Sequence, residues 1–359
     1  MTKTRVWPAP EPPRAVAPGL VKVANLNATG SPGFTAWLAG TGAALLLTCG
    51  DRLLAVAAVN DELELDEQRA DVAMGMAVAG PGTVHLATRW QLHRLEDASE
   101  DGDRQLVNQL SWTTGFVAAY DVAVERSGRV LFTNALCNCV ATPGDRTNFR
   151  AVHVPWFISE LVAEERCHVT GLALDEDGAL AYVTCASESD EAGGWHSGVA
   201  DGGVVVDVRA GRTLARGLSL PCSPRVHEGR LYVANAGTGE LLRVDRESGA
   251  VTTVARLPGL VRGLTFLGGR ALVGCSVPPE EGPYVDLPIS RERPDAPRHG
   301  LAVVDVDSGT VEHTLTIEAG SGDLFAVVAL PDTRHVATYL QSSQRDALFR
   351  VAAVPDVVG

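Results

Sequence analysis

Long apolar runs are missing from this 359-residue sequence. The longest are strand-sized, well short of the roughly 18 residues that a membrane-spanning helix requires, so no such helix is expected. Positive charge is scarce as well. The 30 Lys and Arg stand against 44 Asp and Glu, for a formal net charge of −14. No basic stripe offsets that balance, so a polyanion such as nucleic acid would be repelled by the average surface. Cysteine is thinly spread and odd in number (Cys49, Cys137, Cys139, Cys167, Cys185, Cys222 and Cys275). Residues 1–19 carry Lys3, Arg5 and Arg14 with five prolines and no apolar central run, so they do not read as a secretory signal. The expectations are a disordered Pro-rich arm over 1–33, a cytoplasmic protein, and buried free thiols in place of disulfides. Catalytic signatures are absent too: there is no G-x-S-x-G, no H-E-x-x-H, no phosphate loop and no dinucleotide fingerprint. The pair Cys137 and Cys139 is too close for the usual zinc spacing, and His85, His93 and His153 show no ligand spacing.

What the chain does have is punctuation. Its 37 Gly and 20 Pro call for many tight turns, and one syntax recurs: a polar lead-in, a small apolar strand, an acidic Gly turn and a second β-rich strand. Residues 167–185 (CHVTGLALDEDGALAYVTC) show it most plainly. First strands of such units begin near 74, 120, 169, 223, 262 and 324, a spacing of roughly 40 to 60 residues that fits four-strand blades. Strands this short cannot bury both faces alone, whereas radial stacking covers them with the neighbouring blade. The fold class predicted is therefore all-β, a six-bladed β-propeller over 34–359, with seven blades as the alternative. The first strands, 43–65, lack an inner strand while the C-terminal part offers one at 324–330, followed by 333–339 and 347–351. One blade should thus be closed by strands from both termini. A short helical turn is expected at 34–40, and an acidic surface loop at 96–103.

Several further stretches carry a resemblance. Trp156-Phe157-Ile158-Ser159, residues 165–174 (ERCHVTGLAL), Gly193-Gly194-Trp195, Gly202-Gly203-Val204, residues 218–225, residues 235–241 (NAGTGEL) and Leu257-Pro258-Gly259 with Arg262-Gly263-Leu264 form an ordered set over most of 37–330. In this the chain resembles an uncharacterised bacterial family of conserved hypothetical proteins, some members of which accompany tetratricopeptide repeats. The resemblance implies a propeller without a settled activity. It also implies a histidine at the lead-in of three inner strands, here at Tyr120, His168 and Cys222, of which His168 alone matches, so that a three-histidine metal set is altered in this chain.

In a propeller the inner strands line the central channel and their entry loops meet at one mouth, which brings residues distant in sequence together. Those residues are Tyr120, Asp121, His168, Thr170, Cys222, Ser223, Arg225, Arg262 and Asp323. His168 can move a proton near neutral pH, with Asp121 or Asp323 orienting it; equally, it can be a channel histidine with satisfied hydrogen bonds. Cys222 reads as a thiol activated by His168 or Arg225, or as a small buried filler. Arg225 and Arg262 read as a clamp for a carboxylate or phosphate, or as ion-pair partners of Asp121 and Asp323 between blades. Tyr120 can donate a proton or cap the channel, with Thr170 and Ser223 as substrate-side hydroxyls. Asn134 and Asn235 are read as turn residues. The Gly-rich insertion carrying Trp195 and His196 is long enough to cover the mouth or to be a surface loop.

The leading expectation is a non-redox enzyme of lyase, cyclase or isomerase type acting without a cofactor on a small, possibly anionic, molecule at the channel mouth. His168, Cys222, Tyr120 and Asp121 would be catalytic, and Arg225, Arg262, Thr170, Ser223, Trp195 and Asp323 would bind substrate. A non-catalytic ligand-binding or protein-interaction scaffold is the first alternative. A hydrolase or lactonase using a divalent metal is the second. Oligomeric state is left open by the sequence.

Overall fold

In a computed structural model of the chain the described residues are 27–99, 103–282, 284–292, 299–317 and 322–340. The first elements are β1 (Ala28–Gly30), α1 (Phe34–Thr41), β2 (Ala44–Cys49), β3 (Arg52–Val59) and β4 (Glu62–Arg69). The second unit is β5 (Met76–Val78), β6 (Thr83–Ala87), β7 (Gln91–Asp97) and β8 (Asp103–Thr113); the third is β9 (Val122–Val124), β10 (Val130–Asn134), β11 (Cys139–Pro143) and β12 (Phe149–His153). Then come β13 (Val169–Leu174), β14 (Leu180–Cys185), β15 (Gly203–Asp207) and β16 (Arg212–Leu218), followed by β17 (Pro221–His227), β18 (Arg230–Asn235), β19 (Glu240–Val244) and β20 (Val251–Arg256). The last are β21 (Leu260–Leu267), β22 (Arg270–Ser276), α2 (Pro288–Glu292), β23 (Gly300–Asp305), β24 (Val311–Ile317), β25 (Leu324–Leu330) and β26 (His335–Tyr339).

These strands form six sheets, the blades of a six-bladed propeller, so the seven-blade alternative falls. Inner strands β25, β5, β9, β13, β17 and β21 touch in that order, and β21 returns to β25 to close the ring. The predicted closure is present: β25 is the inner strand of the blade made by β2, β3 and β4, with Ala44 opposite Leu330 and Leu47 opposite Val327. Two further stitches were not read from the sequence. Strand β1 adds to the outer edge of the sixth blade beside β24, and β26 lies parallel to β8 on the outside of the second.

Residues 1–26 of the expected arm and the expected strand at 347–351 lie outside the described residues. The end of that arm is ordered, since β1 and the turn into α1 belong to the propeller. The acidic stretch was read as a loop from Glu96, yet β7 runs to Asp97 and β8 begins at Asp103, because cross-strand pairing outweighs the local charge.

Apolar side chains fill the seams between blades. Leu46, Leu53, Met76, Val84 and Leu86 are packed between the first two blades. Phe34 and Leu38 of α1 cover the seam between the sixth and first blades against Leu45, Leu54, Leu272 and Val303. Each such Leu or Phe contributes about 1.5–3 kcal/mol by leaving water. Nearer the axis the seams are too tight for side chains. A Cβ on Gly171 would stand 2.4 Å from Pro224 Cδ and 2.7 Å from Ser223 N, and one on Gly75 would stand 2.7 Å from Asp121 Cα, so glycine lets adjacent inner strands meet. Small hydroxyls clasp the same seams: Ser223 Oγ accepts from Gly263 N at 3.0 Å and Ser276 Oγ accepts from Leu324 N at 2.8 Å. Thr48 Oγ1 donates to Met74 O at 2.7 Å.

Candidate functional site

Loops entering the inner strands and loops between second and third strands share one face of the ring, where they enclose a pocket over the axis. Tyr120, His168, Thr170, Cys222, Ser223 and Arg262 line it as the repeat predicts, together with Leu220, Tyr284 and Phe325. In this arrangement its cavity is about 20 Å³, the room of a water molecule.

The two arginines do different work. Both terminal nitrogens of Arg225 bind both Asp121 oxygens at 2.8 Å. Asp121 also accepts from Leu172 N and Val122 N, and Arg225 donates to the Leu172 and Pro224 carbonyls. This network joins the third, fourth and fifth blades and takes no part in lining the cavity, which corrects the catalytic role expected of Asp121 and the clamp role expected of Arg225. Arg262 does line the cavity. Its one hydrogen-bond partner among the described residues is Asp323, at 3.1 Å, although a guanidinium carries five donors. The Tyr284 and Phe325 rings lie 5.1 and 5.3 Å from its central carbon, within cation–π range. Asp323 at this pair keeps 29% of its side chain exposed.

His168 opens β13 in the left-handed region, at φ 53. Burial, with Arg262 and His196 nearby, lowers its pKa to about 3, so the imidazole is neutral at pH 7. Among the described residues its Nδ1 has no hydrogen-bond partner, and neither Asp121 nor Asp323 pairs with it there. Trp195 stacks on it with ring centroids 4.0 Å apart, and Tyr120 tilts against it at 5.3 Å. The buried Trp195 Nε1 is likewise unpartnered. Trp195 is buried beside the site on a short 3-10 turn, Gly194–Gly198, and also meets Tyr284 with ring centroids 6.1 Å apart.

At Cys222 the surroundings are those of the buried filler, not of the activated thiol that was expected. Burial raises its pKa to about 11, outweighing Arg262 and Arg225, and Sγ lies 3.5 Å from Val261 O. Burial and the hydrogen-bonded Tyr284 hydroxyl hold the Tyr120 phenol far above its ordinary value, which makes it a hydrogen-bond donor that keeps its proton. Thr170 Oγ1 is committed to Pro221 O and Thr184, and Ser223 Oγ to Gly263 N. Asn134 and Asn235 serve turns, Asn134 accepting from Cys137 N and Asn235 donating to Thr238 Oγ1, and Asn235 also accepts from the distant Ser219 N.

The backbone also corrects the register of the histidine pattern. Val72, Ala118, His168 and Leu220 all have positive φ, between 48 and 53, each two residues before Met74, Tyr120, Thr170 and Cys222 respectively. Ala186 N binds His168 O as Ala236 N binds Leu220 O. His168 therefore corresponds to Ala118 and Leu220, while Tyr120 and Cys222 correspond to Thr170. Among the described residues no group of three or more His, Cys, Asp or Glu is arranged to hold a metal ion.

Tyr284, Phe325 and Leu220 were missed in the sequence. Scarcity was the available signal. Of the 8 Phe, 6 Trp and 5 Tyr in the chain, Tyr120, Trp195, Tyr284 and Phe325 converge on this one mouth.

The sequence profile described as a domain of unknown function, DUF4915, matches residues 32–339. No curated protein matches the sequence. Among solved structures, a chain of the nidogen/laminin complex is similar with a TM-score of 0.53 at 14% identity, over 81% of this chain and 99% of that one. Virginiamycin B lyase from Staphylococcus aureus is similar with a TM-score of 0.42 at 11% identity, over 82% of this chain and 100% of that one. At such identity the first of these likenesses bears on fold alone.

Proposed function

This chain belongs to the DUF4915 family, and on the geometry of its channel mouth we propose that it is a non-redox enzyme of lyase or isomerase type acting on a small anionic molecule. One observation carries the reading: Arg262 spends a single hydrogen bond on Asp323 and turns toward the pocket that the neutral His168 also lines. A desolvated guanidinium with unused donors stabilises negative charge developing on a substrate oxygen. His168, held neutral, polarises a carbonyl or passes a proton without storing charge. The Tyr120 hydroxyl, hydrogen-bonded to Tyr284, keeps its proton beside the same space, and Trp195 with Tyr284 excludes water while the reaction runs. Cys222 is a wall, while Asp121 and Arg225 are positioning residues that fix the strands presenting Tyr120 and Cys222.

Calorimetric titration with small carboxylates and phosphates is the test. Arg262→Gln should weaken the best binder at least about tenfold, as loss of a charge-assisted hydrogen bond does. His168→Leu should then abolish turnover of that compound while leaving its binding within a few fold. Unchanged anion affinity in Arg262→Gln, or full turnover in His168→Leu, overturns the reading.

A scaffold role has its own supporting observation. Trp90 and Phe116 are 49% and 47% exposed, with ring centroids 5.8 Å apart beside Arg89. If that role is the whole function, no small anion binds the pocket and a partner protein is lost with Trp90→Ser.

A further inference from the structure

The charges and the walls of this pocket narrow its ligand, an inference that rests on the reading above. Arg225 is consumed by Asp121, which leaves Arg262 as the cation lining the cavity. Asp323 already faces Arg262 at 3.1 Å, so the pair is close to neutral before any ligand arrives. His168 and Tyr120 add no formal charge at neutral pH. A dianion such as phosphate would meet a cation already partnered by Asp323, whereas a single carboxylate matches the remaining fork of donors in plane.

The walls add shape. Tyr120 stacks on Phe325 at 5.8 Å with 27° between planes, and Arg262 is within cation–π range of both Phe325 and Tyr284. Leu220 completes an apolar side. Flat rings around a single guanidinium favour a ligand whose own π face continues from its carboxylate, since offset and edge contacts between rings add attraction beyond the area they bury. We infer that this pocket takes a planar monocarboxylate, an aromatic or conjugated acid, with the carboxylate on Arg262 and the flat face among Phe325, Tyr284 and Tyr120. Room for it comes from Trp195. Among the described residues the indole N–H and the His168 Nδ1 are both buried without partners, so the closed arrangement leaves hydrogen bonds unmade that an opened one regains from solvent or ligand. Gly193, at φ 63, precedes the turn that carries the indole.

The experiment compares benzoate, cyclohexanecarboxylate, acetate and inorganic phosphate by calorimetry on the full chain. Benzoate is expected to bind roughly fivefold or more tighter than cyclohexanecarboxylate, the size of one or two ring contacts, and phosphate no tighter than acetate. Tyr284→Leu should bring the benzoate-to-cyclohexanecarboxylate ratio toward one, while Tyr284→Phe should preserve it. Because the readout is a ratio within one variant, a general loss of stability does not imitate the effect. Equal affinities for the flat and saturated acids, or phosphate as the tightest ligand, overturn the inference and leave an anion site at Arg262 standing. If none of the four binds the wild-type protein, the inference and the enzymatic reading fall together.

Discussion

An imidazole enclosed against an indole, with one ring nitrogen unpartnered, resists protonation, and that gives His168 a testable pH signature. Its folded pKa of about 3 lies below the ordinary 6.5, and His85 is lowered to about 4 by burial. Between these values the unfolded chain takes up protons that the folded protein refuses, so stability is greatest above about pH 6.5 and falls as pH drops toward 4. For His168 alone the loss by pH 4 is about 3 kcal/mol. Titration by NMR should find His168 unprotonated at pH 5, and His168→Leu should flatten that part of the stability curve; the corresponding Leu220 shows that leucine occupies this left-handed position. An inflection near 6.5 in the His168 resonance would contradict its enclosure. The Arg225–Asp121 pair makes a second prediction. Asp121→Asn leaves a desolvated guanidinium without its countercharge and should cost about 3–5 kcal/mol in urea unfolding, whereas replacing both partners with leucine should cost less than that single change. Sequence placed these residues at one level of the channel but left open which arginine would be free. Asp121 and Arg225 stand 104 positions apart, and no local pattern reports a partner at that distance.

Individual strands were legible because their turns are. Gly and Asp between apolar runs fix hairpins locally, and the inner strands begin within two residues of where that syntax predicts. Less legible was position within the lead-in, since left-handed φ at Ala118, His168 and Leu220 leaves no shared residue type to recognise. The short β26 was also only half read, as its parallel partner β8 lies in a distant part of the chain. Tyr284 sits in an excursion with no periodicity at all. The glycines separate seam from surface. Gly171→Ala puts a methyl into Pro224 and backbone and should lower stability by roughly 2 kcal/mol or more, in the range of overpacked cores. Gly40→Ala, in α1 with nothing within 4 Å of the new carbon, should raise it by about 0.5–1 kcal/mol through helix propensity. Thermal melting of both variants checks the contrast, and equal behaviour would mean that the inner seams are looser than the geometry requires.

At the scale of the whole ring, closure depends on β25. Leu45, Leu46 and Leu47 of β2 are fully buried, and β25 supplies the strand that pairs with them. A chain ending at Asp323 should therefore lose its sharp melting transition and bind hydrophobic dyes, since opening the ring exposes the seams on both sides of the missing strand. Retention of a cooperative melt would show that five complete blades suffice. The same arrangement sets a timetable for synthesis. Strand β2 ends at Cys49 and β25 begins at Leu324, so at about 5–20 residues per second roughly 15 to 55 s separate their exits from the ribosome. Throughout that interval the nascent polypeptide presents a greasy, unpaired edge to its surroundings, and a holding chaperone able to shield it would govern how much of the newborn protein reaches the circular form.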